Sequence, residues 1–313
     1  MSSTNTYLKP STTHEAIAMA AGNAGDFRYL AGGTDVMVNK YQGNMTSSCL
    51  IDITGIEELK KVEYTGTHLK IGSLLRLDDL KEHHEIADKF PALIEAAHNV
   101  ASPVIRKNAT LGGNILCENR CSFYNQSDWW RESVGYCLKC NGDICIATGG
   151  KKACFSRFVS DTAPVLIAYE AQVEILDING LQTIPLEDIY TGDGMKPLKL
   201  TNTSIIKSII LPAHQSYRCV FKKLRQREGV DFTSLTTAVS TSHEGEIKIA
   251  LGGLDPMPVV IRGTKADSID ELISKALKKA RVIDNDVYSR KYRREMIVVY
   301  LRRSFEELGI SGS

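Results

Sequence analysis

Six of the eight cysteines of this chain lie between Cys117 and Cys154. The segment from Glu118 to Arg157 holds five of them and both tryptophans, and it has the period of neither a helix nor a strand. The sequence on both sides reads as short strands and helices. We therefore expect this segment to be an insertion into an otherwise continuous domain.

Cysteines clustered this closely require an explanation, and the expected cellular compartment limits which explanations apply. The first ten residues are polar and lack a signal-peptide pattern, and no apolar run approaches the roughly 20 residues of a membrane helix. A net charge of +1 argues against nucleic-acid binding through phosphate contacts. We therefore expect a cytoplasmic protein, in which clustered cysteines indicate a metal or iron–sulfur site ahead of disulfides.

The cysteine spacing alone leaves two kinds of site open. The pattern is Cys117-x3-Cys121, then Cys137-x2-Cys140, then Cys145 and Cys154. Thiolates suit tetrahedral zinc or an iron–sulfur cluster. Only one C-x-x-C pair is present where structural zinc sites commonly have two, which lowers the zinc interpretation without removing it. Six cysteines also exceed four ligands, so spacing does not select the set.

Two glycine turns are the second chemical signal. One is Tyr29-Leu30-Ala31-Gly32-Gly33-Thr34-Asp35, and the other is Thr110-Leu111-Gly112-Gly113-Asn114. Backbone N–H groups of such turns can form a concave nest for phosphate oxygens, and two nests would suit a pyrophosphate. Two ordinary turns remain the alternative. Neither G-x-G-x-x-G nor G-x-x-x-x-G-K-[ST] occurs, which argues against a Rossmann dinucleotide site and a Walker P-loop.

Local sequence patterns predict that the chain begins with an α/β unit. A middle region that mixes helices and strands follows, and the last third is α+β. Helices are expected at 14–21, 77–83, 91–100, 161–169, 269–280 and 286–308, and strands at 27–31, 49–53, 204–211, 219–224, 235–241 and 247–251. Hairpins are expected at 61–72 and, across Asn179-Gly180, at 173–185. Basic residues of the last helix, among them Arg293, are expected on an exposed face or at a subunit contact.

Several motifs together resemble the FAD-binding subunit of the molybdenum hydroxylases, a family that includes the flavin domains of xanthine and carbon monoxide dehydrogenases. They are the first glycine turn, residues 102–114 (SPVIRKNATLGGN), Ser160-Asp161-Thr162-Ala163-Pro164 and Phe221-Lys222-Lys223-Leu224. The resemblance implies an α+β chain with an FAD-binding fold of the vanillyl-alcohol-oxidase (PCMH) type and a C-terminal domain like that of the carbon monoxide dehydrogenase flavoprotein. The implied divisions are 1–56, 57–175 with the cysteine-rich insertion at 117–157, and 176–313.

The resemblance also implies which residues bind FAD, and it places no catalytic residue on this chain. Residues of the first turn would hold the pyrophosphate, and those of the second would contact phosphate and ribose. Asp161 would hydrogen-bond the cofactor, and Ile206 and Lys223 would lie beside the isoalloxazine, with Lys222 as the fallback. The implied set is Tyr29, Leu30, Ala31, Gly32, Gly33, Thr34, Asp35, Thr110, Gly113, Asn114, Asp161, Ile206 and Lys223.

The insertion is similar to that of the β subunit of 4-hydroxybenzoyl-CoA reductase, which carries a 4Fe–4S cluster. The spacing C-x15-C-x7-C-x8-C of that subunit is matched by Cys121, Cys137, Cys145 and Cys154, which are the implied ligands. The resemblance further implies a heterotrimer, often doubled, with a large molybdenum subunit and a small subunit holding 2Fe–2S clusters. Electrons would pass from a low-potential donor such as ferredoxin through 4Fe–4S and FAD to these partners.

Two other interpretations remain open at this stage. The chain could be the flavoprotein of an NAD-linked xanthine- or aldehyde-type hydroxylase, with an insertion that binds structural zinc or docks partners. It could also be a flavoprotein without a molybdenum partner. The substrate of such a complex would bind on another chain.

Overall fold

The computed structural model describes residues 5–213 and 216–310, which form three β-sheets and the helices packed against them. The strands are β1 (Thr6–Leu8), β2 (Phe27–Leu30), β3 (Cys49–Asp52), β4 (Val62–Tyr64), β5 (His68–Gly72), β6 (Gln172–Asp177), β7 (Gly180–Pro185), β8 (Ile205–Pro212), β9 (Tyr217–Leu224), β10 (Leu235–Ser242), β11 (Glu246–Gly252) and β12 (Val259–Thr264). The helices are α1 (Thr13–Gly22), α2 (Val36–Tyr41), α3 (His84–Lys89), α4 (Pro91–His98), α5 (Pro103–Arg106), α6 (Leu111–Ile115), α7 (Asp128–Val134), α8 (Thr162–Ala168), α9 (Ile269–Lys279) and α10 (Arg290–Glu307). Within the described ranges no helix is long and apolar enough to cross a membrane.

The N-terminal unit is a parallel three-stranded sheet in the order β1-β3-β2. Thr12 caps α1 by accepting a hydrogen bond from the Glu15 N–H at 3.1 Å. Ala16 and Ile17 of α1 then pack against Phe27 and Ile51 of the sheet. This is the small α/β unit expected from the sequence, and its parallel strands bring the end of β2 to the edge where the first glycine turn begins.

The middle sheet is antiparallel and has the order β4-β5-β8-β6-β7. Both predicted hairpins are present, and Gly180 supplies the positive φ of +114° that the β6–β7 turn requires. Strand β8 lies between β5 and β6, so the sheet is complete only at Pro212. The boundary expected at residue 175 falls inside β6, and we propose that the middle subdomain continues to Pro212.

The C-terminal sheet has the order β12-β11-β10-β9 and is covered on both faces. Ala238 of β10 packs in the same cluster as Val165 of α8, whereas the next residue, Val239, packs with Ile297 of α10. Successive strand residues point to opposite faces, so covering both faces buries every residue of β10. The sheet therefore joins the α8 side of the molecule to the C-terminal helices.

The two ends of the cysteine-rich segment lie side by side and are hydrogen-bonded to each other. The Arg120 N–H donates to the Arg157 carbonyl at 2.9 Å, and the Arg157 N–H donates to the Arg120 carbonyl at 2.7 Å. Between these residues the chain forms only α7 and a short 3-10 turn at Leu138–Cys140. We propose on this geometry that the segment is an insertion into the middle subdomain.

Several local expectations need correction. Residues 77–83 do not form a helix: a 3-10 turn at Leu80–Glu82 precedes α3. Residues 110–115, expected as a glycine turn, form the short helix α6 because Thr110 caps it. Arg293 is fully buried rather than exposed, since it lies beside the buried Asp286 and donates to the Gly253 carbonyl at 3.1 Å. Strands β1 and β12 had no sequence prediction.

Candidate functional site

The first glycine turn follows β2 and packs against the segment that leads into the second turn. Gly33 has a φ of +72°, which favours glycine. A Cβ on Gly32 would overlap the carbonyl oxygen of Asn108. The chain therefore needs glycine at this position to bring the two predicted nests together.

The second turn is the capped start of α6. The Thr110 side chain accepts a hydrogen bond from the Gly113 N–H at 3.1 Å. A Cβ on Gly112 would lie 2.7 Å from the Ser73 Cβ, whereas a Cβ on Gly113 would meet only the Thr110 hydroxyl, at 2.9 Å, within 4 Å. The absence of a side chain at Gly112 thus allows α6 to pack closely against Ser73. Gly113 is exposed, and only the Thr110 hydroxyl lies close to the place of its missing side chain.

Asn114 ties the second turn to the start of α8. Its Oδ1 accepts hydrogen bonds from the Ser160 hydroxyl at 2.8 Å and from the Thr162 hydroxyl at 2.7 Å. This pairing uses the amide oxygen, so a cofactor contact from Asn114 would have to come from its NH2 group. The bond fixes Asp161, which lies between Ser160 and Thr162, relative to the glycine turn.

Asp161 and Lys223 form a buried ion pair, although the sequence separates them by 62 residues. Lys223 Nζ donates to Asp161 Oδ2 at 2.6 Å and to the Asn99 carbonyl at 2.9 Å, and the two side chains are 2% and 5% exposed. Burial raises the pKa of Asp161, and the Lys223 ammonium opposes the rise. Lys222 points elsewhere and pairs with Glu307 at 2.5 Å. The geometry thus favours Lys223 over Lys222 as the site lysine.

This pair gives a direct prediction. Lys223→Met should leave a buried carboxyl without its cation and destabilise the chain by about 3–5 kcal/mol, with loss of bound FAD. The adjacent Lys222→Met removes only a more exposed pair and should cost no more than about 1 kcal/mol. Urea titration followed by far-UV circular dichroism measures the stability of both variants, and flavin analysis of the purified proteins measures their bound FAD. Equal midpoints for the two variants would contradict the assignment.

Tyr29 is partly buried against the core of the N-terminal unit, and Ile206 lies in the packed interior. The Tyr29 hydroxyl donates to the Thr203 carbonyl at 2.9 Å, and burial raises the pKa of Tyr29. Ile206 is 3% exposed and belongs to the core of the middle sheet, where it pairs with Ile175. Both side chains help to join β2, β8 and β6. The structure shows these packing roles for two residues expected at the cofactor.

Some contacts around the site had no sequence signal. Asp35 of the first glycine turn accepts the Glu118 N–H at 3.0 Å and forms an ion pair with the buried Arg120. Desolvation lowers the pKa of Arg120 to about 10. The glycine turn is therefore fastened to the neck of the insertion, because a residue expected near the pyrophosphate also holds the cysteine segment.

The loop that contacts Lys223 is also unusual in its backbone. Ala101 has a φ of +43° and Val230 a φ of +62°, both in the left-handed region that non-glycine residues rarely adopt. The Val230 N–H donates to the Ala101 carbonyl at 3.1 Å. Backbone strain of this kind concentrates at functional sites, and Ala101 lies two residues after Asn99, whose carbonyl accepts a hydrogen bond from Lys223.

The four cysteines that match the reductase spacing line one pocket. Cys121, Cys137, Cys145 and Cys154 surround it, whereas Cys117 and Cys140 do not. The cavity between them has a volume of about 10 Å³. Its other walls are Phe123, Tyr124, Leu138, Lys139, Ile146, Ala147 and Ser156. The insertion thus folds four thiols, from positions far apart in sequence, around one largely apolar space.

The thiols differ in their acidity. Burial raises the pKa of Cys121 and of Cys154. A hydrogen bond from the Cys140 thiol lowers the pKa of Cys137, and the same bond raises the pKa of Cys140. Desolvation, with the nearby Asp161 carboxyl, raises the pKa of Cys117 to about 12. Cys140 therefore acts as a donor to Cys137, and Cys117 faces the Asp161 side of the molecule.

Cys154 is also held from outside the insertion. Its N–H donates to Asp193 Oδ1 at 3.0 Å, and its carbonyl accepts the Gly194 N–H at 2.9 Å. A Cβ on Gly194 would overlap the Ser156 hydroxyl and lie 2.9 Å from Cys154 Sγ. The loop after β7 therefore packs against Cys154 and Ser156, two residues of the pocket lining. In the described part of the chain, no group of three or more His, Cys, Asp and Glu side chains is arranged to hold a single metal ion.

A family model described as the FAD binding domain in molybdopterin dehydrogenase matches residues 2–214, a range that ends just after β8. The chain belongs to this family. The match spans both glycine turns, the insertion and Asp161. The family predicted from the sequence motifs is confirmed, and with it the chain is an FAD-binding subunit of an oxidoreductase of the molybdenum hydroxylase family.

Known members of this family are similar in sequence to this chain over most of their length. The aldehyde oxidoreductase FAD-binding subunit of Escherichia coli K12 is 29% identical over 271 residues, which are 83% of this chain and 85% of the relative. The carbon monoxide dehydrogenase medium chain of Hydrogenophaga pseudoflava is 25% identical over 281 residues, 88% of this chain and 82% of the relative. The similarity thus extends well beyond the glycine turns.

Solved structures bear out the fold. A Cu,Mo-CO dehydrogenase chain superposes with a TM-score of 0.77 at 20% identity, and the match covers 96% of both chains. Quinoline 2-oxidoreductase from Pseudomonas putida 86 gives a TM-score of 0.73 at 17% identity, over 96% of this chain and 95% of the other. The predicted α+β FAD-binding fold with its C-terminal domain is confirmed.

Proposed function

We propose that this FAD subunit also binds a 4Fe–4S cluster through Cys121, Cys137, Cys145 and Cys154, and that it passes electrons between that cluster and FAD. The observation that carries the proposal is the pocket, which these four thiols line and the other two cysteines of the insertion do not. Soft thiolates are the ligands that iron–sulfur clusters take in proteins. The aromatic and aliphatic walls would limit water at the cluster, which affects its potential.

The alternative that the sequence left open is a structural zinc site, and the two kinds of site differ in how far apart their sulfurs stand. Four sulfurs around one zinc ion at about 2.3 Å lie roughly 3.8 Å apart. In a 4Fe–4S cluster each thiolate binds its own iron, so the sulfurs stand further apart around a larger core. The thiols here border a common space without forming a single-ion group in the described ranges.

On the FAD side, we propose that Leu30 to Thr34 hold the pyrophosphate and that Thr110 and Gly113 complete the second phosphate contact. The open space above Gly113 and the enforced proximity of the turns at Gly32 support this. The buried Lys223–Asp161 pair would fix the polar end of the flavin pocket, and the remaining implied contacts are carried over from the family motifs. Bound FAD supplies one- and two-electron chemistry, which lets it connect single-electron clusters to two-electron reactions.

We further propose that the chain works within a complex. The names of its relatives, FAD-binding subunit and medium chain, describe parts of larger enzymes. The proposed partners are a large molybdenum subunit and a small 2Fe–2S subunit, as a doubled heterotrimer, with a low-potential ferredoxin-like donor. The resemblance to 4-hydroxybenzoyl-CoA reductase rests on the cysteine spacing, which the pocket supports.

Flavin and metal analysis of the purified native complex tests this proposal. We expect about one FAD per chain, released on denaturation as the dinucleotide, and about eight irons per FAD: four from a 4Fe–4S cluster and four from two 2Fe–2S clusters. Stoichiometric zinc with only about four irons per FAD would favour the NAD-linked hydroxylase with a structural insertion. Release of FMN would contradict the FAD assignment. A stable monomer active on its own substrate would contradict the proposed partners.

A further inference from the structure

Lys139 is a buried cation in the wall of the four-cysteine pocket. It lies two residues after Cys137, in the 3-10 turn at Leu138–Cys140, and its side chain is 7% exposed. Its Nζ sits 4.8 Å from the centroid of the Tyr124 ring. Lysine is rarely buried this deeply unless a negative charge is nearby, because removing an ammonium from water is costly.

The protein itself compensates this charge only in part. Lys139 forms an ion pair with Glu118, whose side chain is 35% exposed and so shares its charge with solvent. Apart from that ion pair, Nζ makes no hydrogen bond to any described residue. By contrast, the buried Arg157 near Cys121 pairs with Asp286, whose side chain is almost fully enclosed. Lys139 is thus the less neutralised cation beside the four thiols.

The position of the Lys139–Glu118 ion pair is fixed by a contact with the first glycine turn. Glu118 donates its backbone N–H to Asp35 Oδ2 in the first glycine turn. The Tyr124 ring, which Lys139 covers, also lines the pocket. Lys139 is therefore held at the pocket from two directions, and its charge acts from a defined position.

We propose that Lys139 stabilises the reduced form of the 4Fe–4S cluster and so raises its reduction potential. This rests on the proposed function, since it assumes the cluster. When the cluster accepts one electron from a low-potential one-electron donor, the donor is oxidised and the cluster gains one negative charge. A fixed positive charge in a low-dielectric wall favours that state. Lys139 is a positioning residue here, because it would set the potential without ligating iron.

Redox titration of the purified complex tests this, with EPR of the reduced cluster as the readout. We expect Lys139→Met to lower the reduced-to-oxidised ratio of the cluster about tenfold at a given potential, which corresponds to about 59 mV for one electron. Lys139→Arg keeps the charge and should restore a ratio close to that of the wild type. Lys151→Met removes an exposed lysine of the same insertion and is the matched control.

The iron content of each variant separates the possible outcomes. If the wild type lacks the cluster, the proposed function fails. If iron is complete and the Lys139→Met potential equals that of the wild type, the role of Lys139 is wrong while the proposed function stands. Lys139→Gln provides a second uncharged variant. Loss of iron from both Lys139→Met and Lys139→Gln would also overturn the inference, because the residue would then be needed for cluster assembly.

Discussion

The complex carrying Cys137→Ser should lose about four irons per chain and keep its FAD. A serine oxygen is a poor replacement for a soft thiolate, and Cys137 is the pocket thiol whose pKa is lowered by a neighbour. FAD should remain because both glycine turns and the Lys223–Asp161 pair lie outside the pocket. Iron assay and flavin release on the same sample measure the two effects together.

Cys140→Ser is the matched control for that change. Cys140 is three residues away in the same turn, and it does not line the pocket. A serine hydroxyl can still donate to Cys137, so we expect nearly full iron in this variant. Iron that survives Cys137→Ser but is lost in Cys140→Ser would mean that the ligand set has been assigned wrongly.

A second large effect is expected at the glycine turns. Gly113→Val should lower FAD affinity by at least about tenfold, equivalent to about 1.4 kcal/mol, because the side chain would fill the space of a phosphate oxygen. The new Cβ at Gly113 would also lie 2.9 Å from the Thr110 hydroxyl, which caps α6 and is proposed to contact the same phosphate. The same change at Gly112 would clash with Ser73 and test packing instead.

Gly22→Val is the control for Gly113→Val. Gly22 is exposed at the end of α1, and a Cβ there would meet no atom within 4 Å. The complex carrying Gly22→Val should keep the FAD and iron content of the wild type. If Gly113→Val bound FAD with unchanged affinity while its iron content stayed full, the second glycine turn would not be a phosphate contact.

Features encoded by local sequence could be predicted well. The hairpin at Asn179-Gly180 follows from a turn that needs glycine, and strand β2, which ends at the first glycine turn, was expected from its local sequence. The four pocket cysteines could be selected only through the family spacing, since six thiols were available. Short-range chemistry and a specific spacing thus reached most of the candidate site.

Features that depend on long-range packing could not be predicted. Arg293 looked like a surface residue of an amphipathic helix, yet it is enclosed beside Asp286 because α10 packs against the loops at the end of the C-terminal sheet. The bond from Asp35 to the Glu118 N–H joins residues 83 apart. The sequence analysis gave no role to Lys139, and only the folded insertion places it in the lining of the pocket. Nothing in the local sequence marks such burial.

The most direct test of the account is low-temperature EPR of the reduced native complex, recorded beside its Cys137→Ser variant. The account predicts a fast-relaxing 4Fe–4S signal in the wild type, in addition to the slower-relaxing 2Fe–2S signals of the small partner. It also predicts that only the 4Fe–4S signal disappears in the variant, while the flavin content is unchanged. A wild-type spectrum containing 2Fe–2S signals alone, from a sample with full FAD, would contradict the central claim.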